Sequence, residues 1–423
     1  MLDLKLIRSD PERVKAALAR RGAAEQIDEL LDLDARRREL LPRIEGAQAE
    51  RKTISKQIGE AKQRGEDAEE QMAAVAGLKQ AIESGKAELE QVEAALRQVA
   101  AALPNLPDPD APDGMTEEDA VVLREEGERP SFDFELRDHL EIGNELGLID
   151  MEAGARVSGS RFAYLKGDLV LLELALVRFA LDLVRGEGHE PVIPPVLVRE
   201  EALVGTGFLP GDRDQIYEIP KDELFLVGTS EVPLAALHAD EILAADRLPI
   251  RYAGFSTCFR REAGAAGRDT RGIFRVHQFD KVEMFSFVEP SESAAEHERL
   301  LAIEERILSE LEIPYRVVNV AAGDLGAPAA KKYDCEAWIP SQGRYRELTS
   351  CSNTTDYQAR RLACRYRAEE GESPQVVHTL NGTAVAVGRT MIALIENRQE
   401  GDGGFTLPTI LHSYGGPARI GGS

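Results

Sequence analysis

Over the first hundred residues, apolar side chains recur every seven positions between long runs of charge. One series begins soon after Glu25 and comprises Leu33, Leu40, Ala47 and Ile54. A second series follows a polar break around Gly65 and comprises Val75, Ile82, Leu89 and Leu96. In this second series, Leu78, Val92 and Val99 occupy another position of the heptad. A strict period of seven is typical of coiled coils. The pattern therefore predicts an antiparallel helical hairpin over about residues 27–100, preceded by a shorter helix with a capping box from Ser9 to Glu12.

The heptad pattern stops between residues 101 and 130. Five of the chain's 21 prolines and nine acidic residues fall here, against two arginines. Such composition favours an extended connection over a packed element. The sequence therefore predicts three regions: a helical region at 1–100, a proline-rich acidic linker at 101–130, and a second domain at 131–423.

The second domain mixes helix and strand signals. An apolar helix is predicted from Asp168 to Val184, stopping at Gly186, and another from Thr390 to Asn397. Strands are predicted at 191–198, 224–227, 249–260, 274–288, 315–320, 333–339 and 344–350. Several strands follow one another without an intervening helix, which favours an antiparallel sheet. The expected fold class is α+β, a helical hairpin followed by an antiparallel sheet flanked by helices.

Composition narrows the function. The 423 residues carry a net charge of −24, which disfavours a protein that coats DNA, because non-specific binding depends on neutralising phosphates. The four cysteines show no C-x-x-C spacing, so neither a disulfide framework nor a thiolate zinc site is expected. The N-terminus lacks the apolar core of a signal peptide, and charges interrupt the apolar stretch 169–184. We expect a cytoplasmic protein that does not enter membranes.

One part of the predicted hairpin is locally basic. Near its turn, a single acid, Glu60, accompanies five basic residues within 51–64: Arg51, Lys52, Lys56, Lys62 and Arg64. A solvated helix face is the simpler interpretation. The alternative is a basic end that holds a phosphate backbone away from an acidic body.

The common phosphate-binding and hydrolytic motifs are absent from the sequence: G-x-x-x-x-G-K-[ST], G-x-G-x-x-G, H-E-x-x-H and G-x-S-x-G. Instead, arginines and glutamates lie on predicted strands. Arg260, Arg261 and Glu262 end one strand, a loop rich in glycine and arginine follows at 263–272, and the chain returns through Phe274–Phe279. An isolated pair of this kind would be interpreted as a charged hairpin.

Three further residues are harder to interpret as surface charge. Glu283 lies in a strand whose alternate faces are both apolar, and a buried carboxylate requires a cation or donors. A ligand ammonium and an internal arginine are both open as its partner, and Glu347 poses the same question. Arg389 immediately precedes the predicted apolar helix Thr390–Asn397, where a positive charge is unfavourable unless an anion or aromatic ring is held there.

Together these segments resemble a known family. The chain is similar along essentially its whole length to bacterial-type seryl-tRNA synthetases, which are class II aminoacyl-tRNA synthetases. Residues 188–195 resemble the first class II motif, 259–279 the second, and Gly388-Arg389 with its helix the third. The blocks GTSEVPL, HQFDKVEMF, RELTSCSN and HTLNGTAVAVGR are close to signatures of the seryl enzymes. Four blocks in order behind a coiled-coil hairpin make the resemblance very specific.

The resemblance implies an ATP site. Arg260 corresponds to a contact with the α-phosphate and the amino-acid carboxylate, Glu262 to one with the adenine amino group, and Arg275 to one with the γ-phosphate. Phe279 and Arg389 correspond to the pair that sandwiches adenine. Glu347 and Ser350 correspond to Mg²⁺ ligands, which suits a hard cation. The full set implied for ATP comprises Arg260, Arg261, Glu262, Arg275, Val276, Phe279, Glu347, Leu348, Thr349, Ser350 and Arg389.

The resemblance also implies a serine pocket. It comprises Thr229, Ser230, Glu231, Arg260, Glu283 and Thr383, with Glu283 accepting from the substrate ammonium or hydroxyl. Four positions depart from many relatives, which carry alanine at Ser230 and serine at Arg261, Thr349 and Thr383. At Thr383 the hydroxyl is retained and a methyl group is added.

The implied function is activation of L-serine by ATP and its transfer to serine tRNA, and to selenocysteine tRNA where that exists. Arg260, Glu283, Glu347 and Arg389 are the implied catalytic residues, and a homodimer is implied by the first motif. The basic cluster Arg51, Lys52, Lys56, Lys62 and Arg64 is the candidate tRNA contact. Two rivals stay open at this point: a ligase that charges a carrier protein, and a non-catalytic coiled-coil RNA-binding protein.

Overall fold

The structure, a computed structural model, describes residues 1–264, 269, 271–369 and 371–422. It divides into two compact units, one formed by Leu2–Leu103 and the other by Met1 with Pro104–Ser423. In the described part of the chain, no helix combines the length and the apolar character needed to cross a membrane.

The first unit is helical. Its helices are α1 (Leu4–Ser9), α2 (Pro11–Ala19), α3 (Gln26–Gln63) and α4 (Glu69–Ala102). The capping box predicted from Ser9 to Glu12 does not form, and a single cap by the next residue, Asp10, replaces it. Asp10 caps α2 by accepting from the Arg13 amide at 3.2 Å, while Ser9 ends α1 and donates to Leu6 O. Pro11 takes the first helical position, where its missing N–H costs nothing, and this fixes Asp10 as the cap.

Helices α3 and α4 pack against each other, so the predicted hairpin is confirmed. Leu40, Ile44 and Ile82 form a buried seam, as the seven-residue spacing requires. The turn contains Gly65 at φ +72°, a left-handed conformation that a glycine adopts without a steric penalty. At about 1.5 Å per residue, each long helix extends for roughly 50–57 Å.

The second unit mixes helices and strands. Its helices are α5 (His139–Glu145), α6 (Met151–Ser158), α7 (Asp168–Gly186), α8 (Glu200–Thr206), α9 (Glu231–Ala236), α10 (Ser293–Glu310), α11 (Tyr357–Arg361), α12 (Val387–Asn397) and α13 (Thr409–His412). The strands of its main sheet are β1 (Val121–Glu126), β4 (Glu190–Val192), β9 (Ile250–Phe259), β10 (Gln278–Val288), β11 (Tyr315–Asn319), β12 (Lys331–Ile339), β13 (Arg344–Thr355) and β16 (His378–Ala386).

Short strands form small separate sheets. They are β2 (Ile149–Asp150), β3 (Tyr164–Leu165), β5 (Leu197–Val198), β6 (Glu218–Ile219), β7 (Leu224–Leu226), β8 (Ile242–Ala244), β14 (Arg365–Arg367), β15 (Gln375–Val376), β17 (Phe405–Thr406) and β18 (Arg419–Ile420). The main sheet has the order β1-β11-β12-β13-β16-β10-β9-β4 in the described residues. Every pairing in it is antiparallel except that of β4 with β9, so the predicted α+β class is confirmed.

The core lies between this sheet and helices α7, α10 and α12. Strand β10 shows how its residues divide between the two faces. Val282 and Met284 are fully buried against the helices, whereas Phe279, Lys281 and Glu283 alternate with them and point to the opposite face. This alternation places Lys281 and Glu283 on the face opposite helices α7, α10 and α12.

Two predicted strands are shorter than expected. Residues 274–277 are not in β10, because β9 ends at Phe259 and offers them no partner strand. The segment 191–198 divides into β4 and β5, which belong to different sheets. Pro194 and Pro195 lie between them and have no N–H with which to continue a ladder.

The expectation that residues 101–130 form a linker is also corrected, because parts of this segment belong to a helix or to the main sheet. Helix α4 continues to Ala102, and β1 pairs with β11 as the edge strand of the main sheet. Asn105 donates from Nδ2 to Pro328 O at 2.9 Å and to Thr354 O at 2.8 Å. The prolines prevent a helix here, but the segment still finds backbone partners and packs within the second unit.

Candidate active site

A cavity of about 700 Å³, its open mouth included, lies on the sheet face away from α10. Its lining is strongly charged and comes from β10, β13, β16, α12 and the segment 260–276. It brings together most of the sequence-predicted ATP residues: Arg260, Glu262, Arg275, Val276, Phe279, Glu347, Leu348, Thr349, Ser350 and Arg389. Of the predicted serine residues, Arg260 and Thr383 line it directly.

A β-bulge arranges the β13 side of this cavity. The pairing of β12 with β13 shifts by one residue, because Cys335 lies opposite Thr349 whereas Glu336 lies opposite Glu347. Leu348 is the extra residue, so Glu347 and Ser350 face the same side although they are three apart. Thr349 also borders the cavity, but its hydroxyl points to the other side and donates to Glu304 of α10 at 2.8 Å.

Arg260 is held in place by the chain on both sides. Its Nε donates to Gly228 O at 3.2 Å, and its backbone carbonyl pairs with His277 Nδ1 at 2.8 Å. The guanidinium lies 5.3 Å from the centre of the Phe279 ring. Arg260 therefore points a fixed positive charge into the cavity between the glycine turn and an aromatic face.

Arg389 binds the same region from the first turn of α12. Its Nη1 donates to Glu347 O at 2.9 Å and to Glu347 Oε2 at 3.2 Å, and its guanidinium lies 4.8 Å from the Phe274 ring centre. Arg346 lies over Phe274 as well, at 4.1 Å. The aromatic contact of Arg389 is thus Phe274, whereas the predicted sandwich partner Phe279 contacts Arg260.

Glu347 is the anion of this cluster. Its Oε1 lies 3.5 Å from Lys332 Nζ, and Arg389 contacts its other oxygen. Burial alone would raise the pKa of Glu347, but Lys332 and then Arg389 outweigh that effect and hold the pKa well below its ordinary value. Glu347 is therefore ionised at neutral pH, which answers the question of its partner that the sequence left open.

The second-motif residues form their own pair. Arg275 Nη1 donates to Glu262 Oε2 at 2.6 Å, so both charges expected to contact ATP are paired with each other. Arg261 lies on the exposed side and does not line the cavity; its amide donates to Gln215 O. Of the predicted loop 263–272, residues 265–268 and 270 lie outside the described residues.

The remaining serine-pocket residues lie behind Thr383. Glu283 Oε2 accepts from Thr383 Oγ1 at 3.1 Å and lies 2.6 Å from Lys281 Nζ. The internal partner of Glu283 is thus a lysine, not the arginine considered from the sequence. Ser230 donates from Oγ to Gly254 O, and Gly254 lies opposite Glu283 across β9 and β10.

Glu231 and Thr229 complete this buried group. Glu231 Oε1 accepts from Gln358 Nε2 at 2.7 Å and from Asn381 Nδ2 at 3.1 Å, and the Glu231 amide donates to Thr229 Oγ1. Burial, followed by the charge of Glu283, raises the pKa of Glu231 to about 7. Two carboxylates in one dry pocket repel each other, so the pKa of one of them, Glu231, is raised towards neutral pH.

Sequence reasoning missed three residues of this region: Lys281, Phe274 and His139. Lys281 could have been found, since it lies two residues before Glu283 and therefore on the same strand face. The sequence predicts Phe274 only as part of a strand. His139 gives no local signal, because its partners are more than a hundred residues away in sequence.

His139 joins the second and third motif segments. Its Nδ1 pairs with Glu396 of α12 at 2.9 Å, and its Nε2 accepts from the Ile273 amide at 3.2 Å. A Cβ on Gly272 would lie 2.0 Å from the imidazole, so only glycine fits this approach. The histidine thereby fixes the backbone immediately before Phe274.

The predicted tRNA contacts belong to the helical unit. Arg51, Lys52, Lys56 and Lys62 are exposed on α3, and Arg64 follows its last turn. Two acids accompany them, since Lys56 lies 3.8 Å from Glu60 and Arg64 lies 2.9 Å from Glu66. Both pairs are solvated and contribute little to stability. The cluster keeps an excess of positive charge in water.

Family comparisons agree with this arrangement. The family model for the class II tRNA synthetase core domain (G, H, P, S and T) matches residues 216–398, which contain the cavity. The model for the seryl-tRNA synthetase N-terminal domain matches residues 1–107. The sheet and its cavity therefore define the core of a class II aminoacyl-tRNA synthetase.

Relatives narrow the class to one family. The serine–tRNA ligases of Thermobifida fusca and Streptomyces coelicolor are 50% and 51% identical to the chain, over 98% and 99% of both sequences. The seryl-tRNA synthetase of Pyrococcus horikoshii, solved with ATP, superposes with a TM-score of 0.94 at 42% identity over the whole of both chains. The cytoplasmic serine–tRNA ligase of Naegleria fowleri, solved with AMP, gives 0.87 at 32% identity, covering 100% of this chain and 99% of that one.

The chain belongs to the seryl-tRNA synthetase family. The resemblance found in the sequence motifs is confirmed, and so is the expectation of an aminoacyl-tRNA synthetase.

Proposed function

We propose that the enzyme activates L-serine with ATP to form seryl-adenylate and pyrophosphate, then transfers serine to the terminal adenosine of serine tRNA. The observation that carries this proposal is the junction of two sites. A cavity lined by Arg260, Arg275 and Arg389 suits a triphosphate, and it adjoins a buried acidic pocket around Glu283 and Glu231 that suits a small ammonium.

In the first step, a carboxylate oxygen of serine attacks the α-phosphorus of ATP, and pyrophosphate leaves. Two anions approach each other in this step, so a cation between them lowers the barrier. Arg260 is placed for that role, because it lines the cavity and the Gly228 carbonyl fixes its side chain. Arg275 is the candidate for the leaving phosphates once it releases Glu262.

Adenine enters between aromatic and guanidinium surfaces. Phe279 and Phe274 both line the cavity, and Arg389 lies over Phe274. A nucleobase presents a π-face to either kind of group. We assign the base to the space between Phe279 and Arg389, with Glu262 as acceptor for its amino group.

The residues of β13 fit a hard divalent cation. Glu347 is ionised, and the bulge places the side chain of Ser350 on the same face of the sheet as that of Glu347. Mg²⁺ is typically held by one or two protein oxygens together with substrate phosphates. Glu347 and Ser350 would hold it here, and it would neutralise charge on the triphosphate.

Selection of serine follows from the hydroxyl and from size. Glu283 and Thr383 are placed to pair with the substrate ammonium and hydroxyl. A pocket built to bond a hydroxyl rejects alanine strongly, since alanine leaves buried polar groups unpaired. Threonine is excluded by one methyl group, which is the weaker discrimination, and the methyl of Thr383 narrows the same space.

In the second step, the helical hairpin binds tRNA. We assign Arg51, Lys52, Lys56, Lys62 and Arg64 to the phosphate backbone, because their excess charge is exposed while the whole chain is acidic. Selenocysteine tRNA, which is charged with serine first, would use the same contacts. The reaction belongs to protein synthesis, and we place the enzyme in the cytoplasm.

A homodimer is proposed through the region of β4 and α7. Apolar side chains are exposed here, with Ile193 at 84%, Leu174 at 58% and Leu171 at 48%. Clustered exposed apolar residues favour a protein interface. Light scattering of the intact protein should give twice the chain mass, and Ile193→Glu should shift it towards the monomer.

Serine-dependent exchange of pyrophosphate into ATP tests the central proposal. The exchange should require Mg²⁺ and be supported by serine well above alanine, glycine and threonine. Preference for another amino acid, or no exchange by folded protein, would refute it. Charging of serine tRNA then tests the second step separately.

A further inference from the structure

Lys281 is a buried cation on the substrate side of the sheet. It lies on β10 between Phe279 and Glu283, all three on one face, and its side chain is only 8% exposed. Burying an ammonium is costly unless it is paired. Its partner is Glu283, with Nζ 2.6 Å from Oε2.

Lys281 and Thr383 together cover the carboxylate. Both contact the same oxygen of Glu283, and both line the cavity, whereas Glu283 is absent from the described lining. A substrate ammonium that enters from the cavity therefore meets Lys281 before it reaches Glu283. The site that should bind a cation already contains one.

Two cations cannot share Glu283 without a further anion. Two ammonium groups that approach the same carboxylate in a partly buried site repel each other strongly. Glu231 relieves the conflict only in part, because burial raises its pKa to about 7 and leaves it partly protonated at neutral pH. Either Lys281 moves or serine binds weakly.

The side chain of Lys281 can move to a second position within the cavity. Its stem is flexible, unlike the planar fork of arginine. It lines the same cavity as Arg260, the residue assigned to the α-phosphate and the serine carboxylate. These are the new negative charges that substrates bring.

We propose that Lys281 occupies the ammonium position of the serine pocket in the free enzyme and turns towards the α-phosphate when ATP binds, which exposes Glu283 to serine. The inference rests on the proposed function and adds a substrate-binding residue to it. One lysine thereby serves two anions in sequence, first Glu283 and then the reacting phosphate.

A consequence is coupling between the two substrates. ATP should raise the affinity for serine, and serine should raise the affinity for ATP by the same factor. We expect about a 10-fold effect in the unaltered enzyme. It would be measured by calorimetric titration of serine with and without α,β-methylene-ATP, an analogue that cannot form the adenylate.

Lys281→Met removes the cation. Serine should then bind equally well with or without the analogue, within about 2-fold, because Glu283 is exposed in both states. The rate of pyrophosphate exchange should fall about 10–100-fold at saturating serine, with no rise in the serine KM. Lys221→Met, an exposed lysine in the turn between β6 and β7, is the matched control and should retain both the coupling and the rate.

Lys281→Arg provides a second route if the methionine variant folds poorly. Its charge keeps Glu283 paired, but a bidentate guanidinium holds the carboxylate more firmly. We expect the serine KM to rise about 10-fold and the analogue to restore little of it. Unchanged serine affinity and unchanged coupling in this variant would contradict the proposal.

The opposing outcome is distinct. If Lys281→Met raises the serine KM, as loss of the Glu283 charge should, and leaves the coupling intact, Lys281 is a fixed counter-ion that orients Glu283. An unaltered enzyme that neither binds serine nor exchanges pyrophosphate would instead refute the proposed function. The two failures are thus separable.

Discussion

The outer part of the hairpin, residues 43–89, and the proposed serine pocket differ in how far their charged side chains are exposed to water. On the hairpin, ion pairs such as Lys56–Glu60 are exposed and long, at 3.8 Å, and each can be lost at little cost. In the pocket, Glu231 and Glu283 are nearly inaccessible, and each has specific partners. Exposed charges act through their sum, whereas a buried charge acts individually.

Removal of the outer hairpin should have the largest effect. Deleting Arg43 to Leu89 and joining the helices with a short turn leaves the cavity residues untouched, since all of them lie beyond residue 188. Pyrophosphate exchange should stay near the parent rate while tRNA charging falls about 1,000-fold, because the deletion removes many phosphate-binding charges together. Normal charging would show that the hairpin does not grip tRNA, and loss of exchange would show that the two units are not functionally separable.

Glu283→Gln tests the buried side of the comparison. The side chain keeps its shape but loses its charge, so the serine ammonium has no counter-ion in a dry pocket. We expect the serine KM to rise about 100-fold or more, since breaking a buried charge pair costs roughly 3–5 kcal/mol. Thermal stability should fall as well, because the substitution leaves the buried ammonium of Lys281 without its counter-ion. A large loss of stability with an unchanged KM would make Glu283 a structural partner of Lys281 only.

Neutralising the basic cluster should be milder than deletion. Replacing Arg51, Lys52, Lys56, Lys62 and Arg64 with glutamine should weaken tRNA binding about 10-fold and flatten its dependence on salt, by less than one unit of slope for each phosphate that is no longer neutralised. A matched control replaces Lys79, Lys86 and Arg97, which are exposed on α4. Equal effects per replaced charge in the two sets, which hold five and three residues, would mean that the position of the charge does not matter.

The smallest expected effect concerns pH. The pKa of Glu231 is raised to about 7, so the folded protein binds this proton more tightly than the unfolded chain does. Its stabilising contribution is complete below about pH 4.5 and is lost as the pH rises through 7. Between pH 5 and 8 the unaltered protein should lose roughly 2 kcal/mol relative to Glu231→Gln. Denaturant titrations would measure this, with Glu201→Gln on the exposed surface as control; parallel curves would contradict it.

Patterns of long period were predictable from the sequence. The seven-residue repeat specified the helical hairpin and its turn, because a buried seam along two helices requires that spacing. The apolar residues on both faces of β10 predicted that Glu283 is buried, and it is 2% exposed. What failed were the boundaries, as at 274–277 and 121–126, where pairing depends on whether a distant strand is present.

Most of the cavity lining could be named from motifs, but its internal pairing could not. Nothing local to Arg389 indicates that its ring contact is Phe274, and nothing local to Glu262 indicates its pairing with Arg275. His139 was missed entirely, because Ile273 and Glu396 meet it only after folding. Spacing along a strand is local information, whereas the choice of partner across the sheet is not.

The extra residue, Leu348, shifts by one position which residues of β13 face the cavity. Upstream of it, odd-numbered residues such as Glu347 face the cavity; downstream, even-numbered ones such as Ser350 do. Deleting Leu348 would restore strict alternation, so that Ser350 would face α10 and the hydroxyl of Thr349 would leave Glu304 and point into the cavity. The two candidate metal ligands would then lie on opposite sides of the sheet. The odd interval between Glu347 and Ser350 is therefore a consequence of the bulge. An insertion or deletion in this strand would keep both side chains on the cavity side only if it comprised two residues.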